Sequence, residues 1–182
     1  MKALIVIDAQ EDFTRGALRN EDAIAALPKV AELVKFAREN NMIIFYTQDT
    51  HDNDTYLLRQ EGKNLPIPHC IYKTKGWEIC PEVDDKNSLH IYKPGFGYLG
   101  WQDEFCNFYP DEIIMCGFCT DICVSANFQI LKATFRDVPI TIVEDCCAGV
   151  TPELHDAALK VMKSCQANIT TLDELKEKVN ET

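Results

Sequence analysis

The chain has 182 residues and a mass of 20.7 kDa, with 46% hydrophobic and 26% charged residues. These values exclude a disordered chain, a fibrous repeat and a mini-protein that needs staples, and they suit one well-filled core. Its 18 basic residues against 29 acidic ones give a net charge of -11 with no basic run, which excludes a nucleic-acid backbone as partner.

No apolar stretch approaches the roughly 20 residues of a membrane span. Residues 3–7 are too few for a signal-peptide core, and Asp8 ends that run. The expectation is a soluble, cytoplasmic chain folded as a single domain over residues 1–182. Its expected partners are a small molecule and further copies of itself in a homo-oligomer, with no nucleic acid and no membrane.

Strand and helix signals alternate. A β-branched apolar run at 2–7 predicts a first strand, and 21–40 carries helical periodicity through Ile24, Leu27, Val30, Ala31, Val34 and Ala37. A second strand is predicted at 42–47. Residues 48–75 then break the rhythm, with room for one helical turn at 56–60. A long irregular segment inside a compact domain is usually functional, and this one holds Asp49, His51 and His69. Further strands are predicted at 89–92, 112–116, 139–143 and 167–170, and helices at 120–134, 152–164 and 172–179. Fully apolar strands separated by helices indicate a mostly parallel sheet covered on both faces, a doubly wound α/β fold.

In such sheets ligands bind beyond the carboxyl ends of the strands. Asp8, Asp49, Lys93 and the segment 119–123 all fall at such ends. Cys123 is the candidate nucleophile: with Thr120 as N-cap it occupies the third helical position, where free amides and the helix dipole lower a thiol pKa from about 8.5. The competing reading is a buried structural cysteine. Asp8 and Lys93 add a base and a cation, the minimum for covalent acyl transfer.

Nine cysteines, an odd number, cannot all pair within one molecule, and without an export signal a disulfide framework is not expected. Most read as small hydrophobes. Cys116-Gly117-Phe118-Cys119 has the spacing of a thiol-redox pair, which would make the protein a redox protein. Cys116, however, falls within an apolar strand. A metal cluster on Cys116, Cys119 and Cys123 lacks a second matched pair. The run Gly95-Phe96-Gly97-Tyr98-Leu99-Gly100 fits G-x-G-x-x-G but is crowded by Phe96 and Tyr98 and is no dinucleotide site. Asp49-x-His51 and His69 supply two imidazoles and a carboxylate, suited to zinc, manganese or iron with positions open to water. On spacing alone, loop histidines with polar partners are the simpler reading.

Taken together, Asp8-x-Gln10-x-Asp12-Phe13, Asp49-x-His51 with Pro68-His69-Cys70, and Gly117-Phe118-Cys119-Thr120-Asp121-Ile122-Cys123-Val124 resemble the motifs of the isochorismatase-like cysteine hydrolases, and within them the nicotinamidase branch. The resemblance keeps motif order from the first strand to the last. It implies a catalytic triad of Asp8, Lys93 and Cys123 and an oxyanion hole from the amides of Cys119 and Cys123. It further implies a non-proline cis peptide at Phe118-Cys119 and a divalent metal, zinc by preference, on Asp49, His51 and His69.

The implied activity is hydrolysis of a small amide through a thioester, with nicotinamide as substrate and another amide or carbamoyl compound as the alternative. Phe13 would line one side of a flat ring. Where the resemblance places a second aromatic, three residues before the second metal histidine, this chain has Pro66, so Trp77, Tyr98 and Trp101 become the candidates for that ring. Isochorismate is disfavoured by the net charge and by the lack of an arginine close to the motifs.

Overall fold

The computed structural model describes residues 1–180. In chain order the elements are β1 (Lys2–Ile7), α1 (Glu11–Thr14), α2 (Glu21–Glu39), β2 (Ile43–Asp49), α3 (Gln60–Asn64), β3 (Leu89–Lys93), α4 (Trp101–Glu104), β4 (Glu112–Phe118), α5 (Ser125–Thr134), β5 (Ile140–Ala148), α6 (Pro152–Ser164), β6 (Asn168–Thr170) and α7 (Leu172–Asn180). A π-helical turn, Thr120–Val124, joins β4 to α5. The strands form one sheet in the order β3-β2-β1-β4-β5-β6, with every neighbouring pair parallel. Among the described residues no helix is long and apolar enough to cross a membrane.

The apolar runs that predicted the strands are the buried ones. Residues 3–7 of β1 and 113–118 of β4 are buried throughout, as a sheet covered on both faces requires. Helix α2 buries Ala23, Leu27, Val30, Val34 and Ala37 along one stripe, and Asn20 caps it by accepting from the Ala23 amide at 3.0 Å. Helices α2 and α7 pack against β5 and each other, while α4, α5 and α6 form a second group. Trp101, fully buried at the start of α4, meets Phe45 of β2 edge-on at 6.0 Å and so fastens the segment after β3 onto the sheet.

Strands are added outward on one side from β1 and on the other from β4, so a crevice opens at the carboxyl ends of those two parallel neighbours. Gly117 makes the close approach there possible. Its φ is +118°, and a Cβ would stand 2.0 Å from the Ile7 carbonyl oxygen.

The structure departs from the sequence reading at element ends and in short pieces. Strand β5 continues to Ala148, past the charged Glu144-Asp145 pair that marks the end of the apolar run, and carries Cys146 and Cys147 into the sheet. Its pairing with β4 shifts register between Met115 and Gly117, which lets that polar pair pass. Helices α1 and α4 have four residues each, too few for a 3.6-residue period to show.

Candidate active site

Asp8, Lys93 and Cys123 arrive from three different strand ends. Asp8 follows β1 in the left-handed region, with φ +46°, a conformation that turns its carboxylate under the crevice. Its amide donates to the Thr47 carbonyl at 3.1 Å, and the Thr47 hydroxyl donates to Asp8 Oδ1 at 2.6 Å. Lys93 closes β3 beside Asp49, its register partner on β2. The Lys93 ammonium lies 2.6 Å from Asp8 Oδ2, 3.6 Å from Cys123 Sγ and 3.7 Å from Asp49 Oδ1, and donates to the Gly95 carbonyl at 3.0 Å. All three side chains are buried, Cys123 at 4% exposure.

Burial governs the protonation states. It pushes Asp8 above the ordinary carboxylate value, with Lys93 pulling back. Burial works against the Lys93 charge, yet Asp8, Cys123 and Asp49 hold its pKa above the ordinary lysine range. The Cys123 thiol is pushed well up by burial and by Asp8, with Lys93 opposing. This corrects the expectation of a thiol lowered by a helix start. Thr120 is also not an N-cap: the turn that carries Cys123 is π-helical and is preceded by Cys119, and the Thr120 hydroxyl pairs with His155 Nδ1 at 2.8 Å. Burial thus favours the neutral thiol over the thiolate, and Asp8, a candidate proton acceptor, is hydrogen-bonded beside it. The Phe118–Cys119 peptide is cis.

Beside the triad stands a second polar group. Asp49 is the last residue of β2, and His51, Glu61 and His69 come from the irregular segment and α3. One donor atom of each of these four lies within 4.8 Å of the others. Asp49 Oδ2 is 2.9 Å from His51 Nε2 and 3.5 Å from His69 Nε2, and Glu61 Oε1 is 3.6 Å from both rings. A tetrahedral ion about 2.1 Å from each donor spaces them about 3.4 Å apart, so the set fits a divalent metal.

Hydrogen bonding supports the same fit. His69 Nδ1 lies 2.9 Å from the Ile67 carbonyl, which fixes the proton there and aims the Nε2 lone pair at two carboxylates. Lone pairs converging in a buried site need a cation between them. Burial alone would raise Asp49, but the close His51 and His69 rings and the nearby Lys93 hold it well below the ordinary range. Glu61 escaped the sequence reading because it is one acid among many on a short helix.

The opening motif explains how loop residues are held beside strand ends. Gln10 locks the Asp49 backbone from both sides: its Oε1 accepts from the Asp49 amide at 2.8 Å, and its Nε2 donates to the Asp49 carbonyl at 3.0 Å. Buried Asp12 accepts from the Cys70 amide at 2.7 Å, next to His69, and from the Ala17 amide at 2.9 Å. Phe13 meets the His69 ring edge-on at 5.9 Å. On the opposite side Asn127, one helical turn after Cys123, donates to the Cys123 carbonyl at 2.8 Å and to the Phe96 carbonyl at 3.1 Å. Its Oδ1 accepts from the Tyr98 amide and from Trp101 Nε1, each at 3.0 Å.

Cys123 of the triad and Asp49, Glu61 and His69 of the four-donor group line one cleft of about 890 Å³, whose walls also include Phe13, Leu65, Phe96, Cys119 and Ile122. None of Trp77, Tyr98 and Trp101 is on these walls. Trp101 is in the core, Tyr98 packs on it, and Trp77 meets Tyr72 and Tyr92 edge-on. The second aromatic of the cleft is instead Phe96, from the glycine-flanked loop after β3. Two arginines, Arg19 and Arg59, also line the cleft, so the sequence argument that no arginine lies near the motifs does not hold in three dimensions. Cys116 is fully buried in β4, which denies the Cys116–Cys119 spacing the exposed thiolate a redox pair uses, and burial pushes the Cys119 thiol up to about 12.

A parallel sheet with an acid, an ammonium and a cysteine at its switch point defines a class of α/β hydrolases. The isochorismatase domain family matches residues 2–174, and the chain belongs to that family. A nicotinamidase from Bacillus subtilis superposes with a TM-score of 0.82 at 27% identity, over 93% of this chain and 98% of that one. A pyrazinamidase of Pyrococcus horikoshii in complex with zinc superposes at 0.80 with 28% identity, over the same shares of 93% and 98%. A probable inactive nicotinamidase of Arabidopsis thaliana is 25% identical, over 97% of this chain and 95% of its own length. The chain is thus an isochorismatase-like hydrolase, related to amide-hydrolysing nicotinamidases.

Proposed function

We propose that the protein hydrolyses a small amide through a thioester on Cys123, with nicotinamide as a substrate, releasing nicotinate and ammonia. The observation that carries this is the single buried cluster in which Lys93 lies 2.6 Å from Asp8 and 3.6 Å from Cys123, open to the cleft at Cys123. Relatedness to a probable inactive nicotinamidase does not weaken it, because acid, cation and thiol are all present and assembled.

Asp8 takes the thiol proton as Cys123 Sγ attacks the amide carbon, and the Lys93 charge stabilises the thiolate that forms. Backbone amides of Cys119 and Cys123 receive the oxyanion, an effect worth about 3 kcal/mol per donor. Collapse breaks the C–N bond, and Asp8 returns its proton to the departing nitrogen, which leaves as ammonia. Water then attacks the thioester with Asp8 again accepting a proton, and the acid is released as the thiol is restored. Asp49, His51, Glu61 and His69 would hold a divalent ion, zinc by preference, whose Lewis acidity would orient a ring nitrogen or a water. Phe13 and Phe96 supply apolar walls for a flat ring.

The test is ammonia release from saturating nicotinamide by metal-supplemented protein. Release by wild type and none above background by Cys123→Ala is expected. Equal release by both proteins would remove the cysteine from the reaction, and release by neither would remove nicotinamide.

A further inference from the structure

We propose that Arg59 is a carboxylate-binding residue of the cleft, so that the preferred amides carry a carboxylate in addition to the scissile group. The proposal rests on the amide-hydrolase reading and adds a substrate class to it. Four of the five arginines, in a chain with 29 acidic residues, have a carboxylate within ion-pair distance: Arg15, Arg19, Arg38 and Arg136. Arg59 has none among the described residues, although it is only half-buried and lines the cleft that exposes Cys123. In so acidic a protein, an arginine kept from every carboxylate and aimed at a ligand cleft is placed to meet an incoming one.

Its position is fixed. Arg59 Nη2 donates to the Pro94 carbonyl, which ties the guanidinium to the segment between Lys93 and Gly95 on the catalytic wall. Arg59 Nη1 lies 3.4 Å from His51 Nδ1. A guanidinium only donates, so this contact is a hydrogen bond only when Nδ1 is unprotonated. These two contacts engage only two of the five N–H groups that a guanidinium carries. The fork is left with N–H groups for the planar, bidentate partner that guanidinium fits best, a carboxylate. Cleft size agrees: about 890 Å³ far exceeds a nine-atom pyridine amide and leaves room for a second functional group.

Two matched pairs of probes isolate the charge: succinamate against succinamide, and 3-carbamoylbenzoate against isophthalamide. Each pair differs only in a carboxylate replaced by an amide. Binding is measured by calorimetry on the metal-supplemented Cys123→Ala protein, and ammonia release is measured on wild type. In at least one pair the anionic member should bind about tenfold more tightly and show a correspondingly higher kcat/KM. Arg59→Met should bring that ratio close to one, Arg59→Lys should restore part of it, and Arg136→Met, on the exposed far surface, should leave it as in wild type. A ratio of one in both pairs for wild type overturns the proposal, as does an Arg59→Met protein that keeps its preference. Calorimetric preference without ammonia release would leave the carboxylate site standing and count against the hydrolase reading instead.

Discussion

The two halves of the cleft are built on different principles. The triad half is made of strand ends: Asp8, Lys93 and Cys123 each stand at the end of β1 or β3 or one turn beyond β4, and the sheet ladder sets their separation. Only one donor of the metal half, Asp49, has that support. His51, Glu61 and His69 lie on the segment between β2 and β3, which borrows its main anchors from outside. These are Gln10 clamping Asp49 and Asp12 holding Cys70, while a small parallel bridge joins His51 to Ile71 within the segment. On the proposed function, the reacting groups sit on the sheet, while the groups that would hold a metal and orient the ligand sit on a loop that other substitutions can remodel.

Substitutions can break the comparison, beginning with the largest effect. Replacing Cys123 by alanine should reduce amide turnover by about 10³-fold or more while leaving the bound metal and the melting temperature close to wild type. Metal analysis and calorimetry alongside the ammonia assay would check this. Gln10→Ala and Asp12→Asn should act on the other half: metal affinity should fall by about 10- to 100-fold, with the rate of Cys123 alkylation unchanged. Loss of alkylation in step with the metal would show that the halves are one unit. Glu61→Gln, which removes a charge but keeps the shape, should weaken metal binding by about tenfold in a chelator competition and leave the fold intact. A last effect, on stability and not on the metal, is expected at the link between nucleophile and cleft wall. Asn127→Leu strands the Trp101 indole N–H and the Cys123 carbonyl, and should cost about 1–3 kcal/mol in denaturant unfolding.

The same division decides how much was legible in the sequence. Strands β1, β2 and β4 were readable because apolar runs such as Ile113-Ile114-Met115 have no other use than a sheet covered on both faces. Once strand ends were placed, Asp8, Lys93 and Cys123 converged without any knowledge of loops. What depended on loops was hidden. Glu61 carries no local mark, Phe96 sat inside a glycine run that reads as a turn, and Arg59 is eight residues from His51 along the chain yet 3.4 Å from its ring in space. Gln10 and Asp12 were visible as a motif, but their work, holding Asp49 and Cys70, is a tertiary fact. The thiol of Cys123 was misjudged because a helix-start argument counts the dipole and omits burial, and burial beside Asp8 pushes the thiol up.

The covalent step can be observed directly. Metal-supplemented wild-type protein is mixed with nicotinamide, quenched in acid within milliseconds to seconds, digested and analysed by mass spectrometry. The expected result is a nicotinoyl group on the peptide that contains Cys123, appearing before steady-state ammonia release and absent when Asp8 is replaced by asparagine. Ammonia released at the wild-type rate with Cys123 unmodified throughout, or the acyl group found on Cys119 instead, would contradict the assignment of Cys123 as nucleophile.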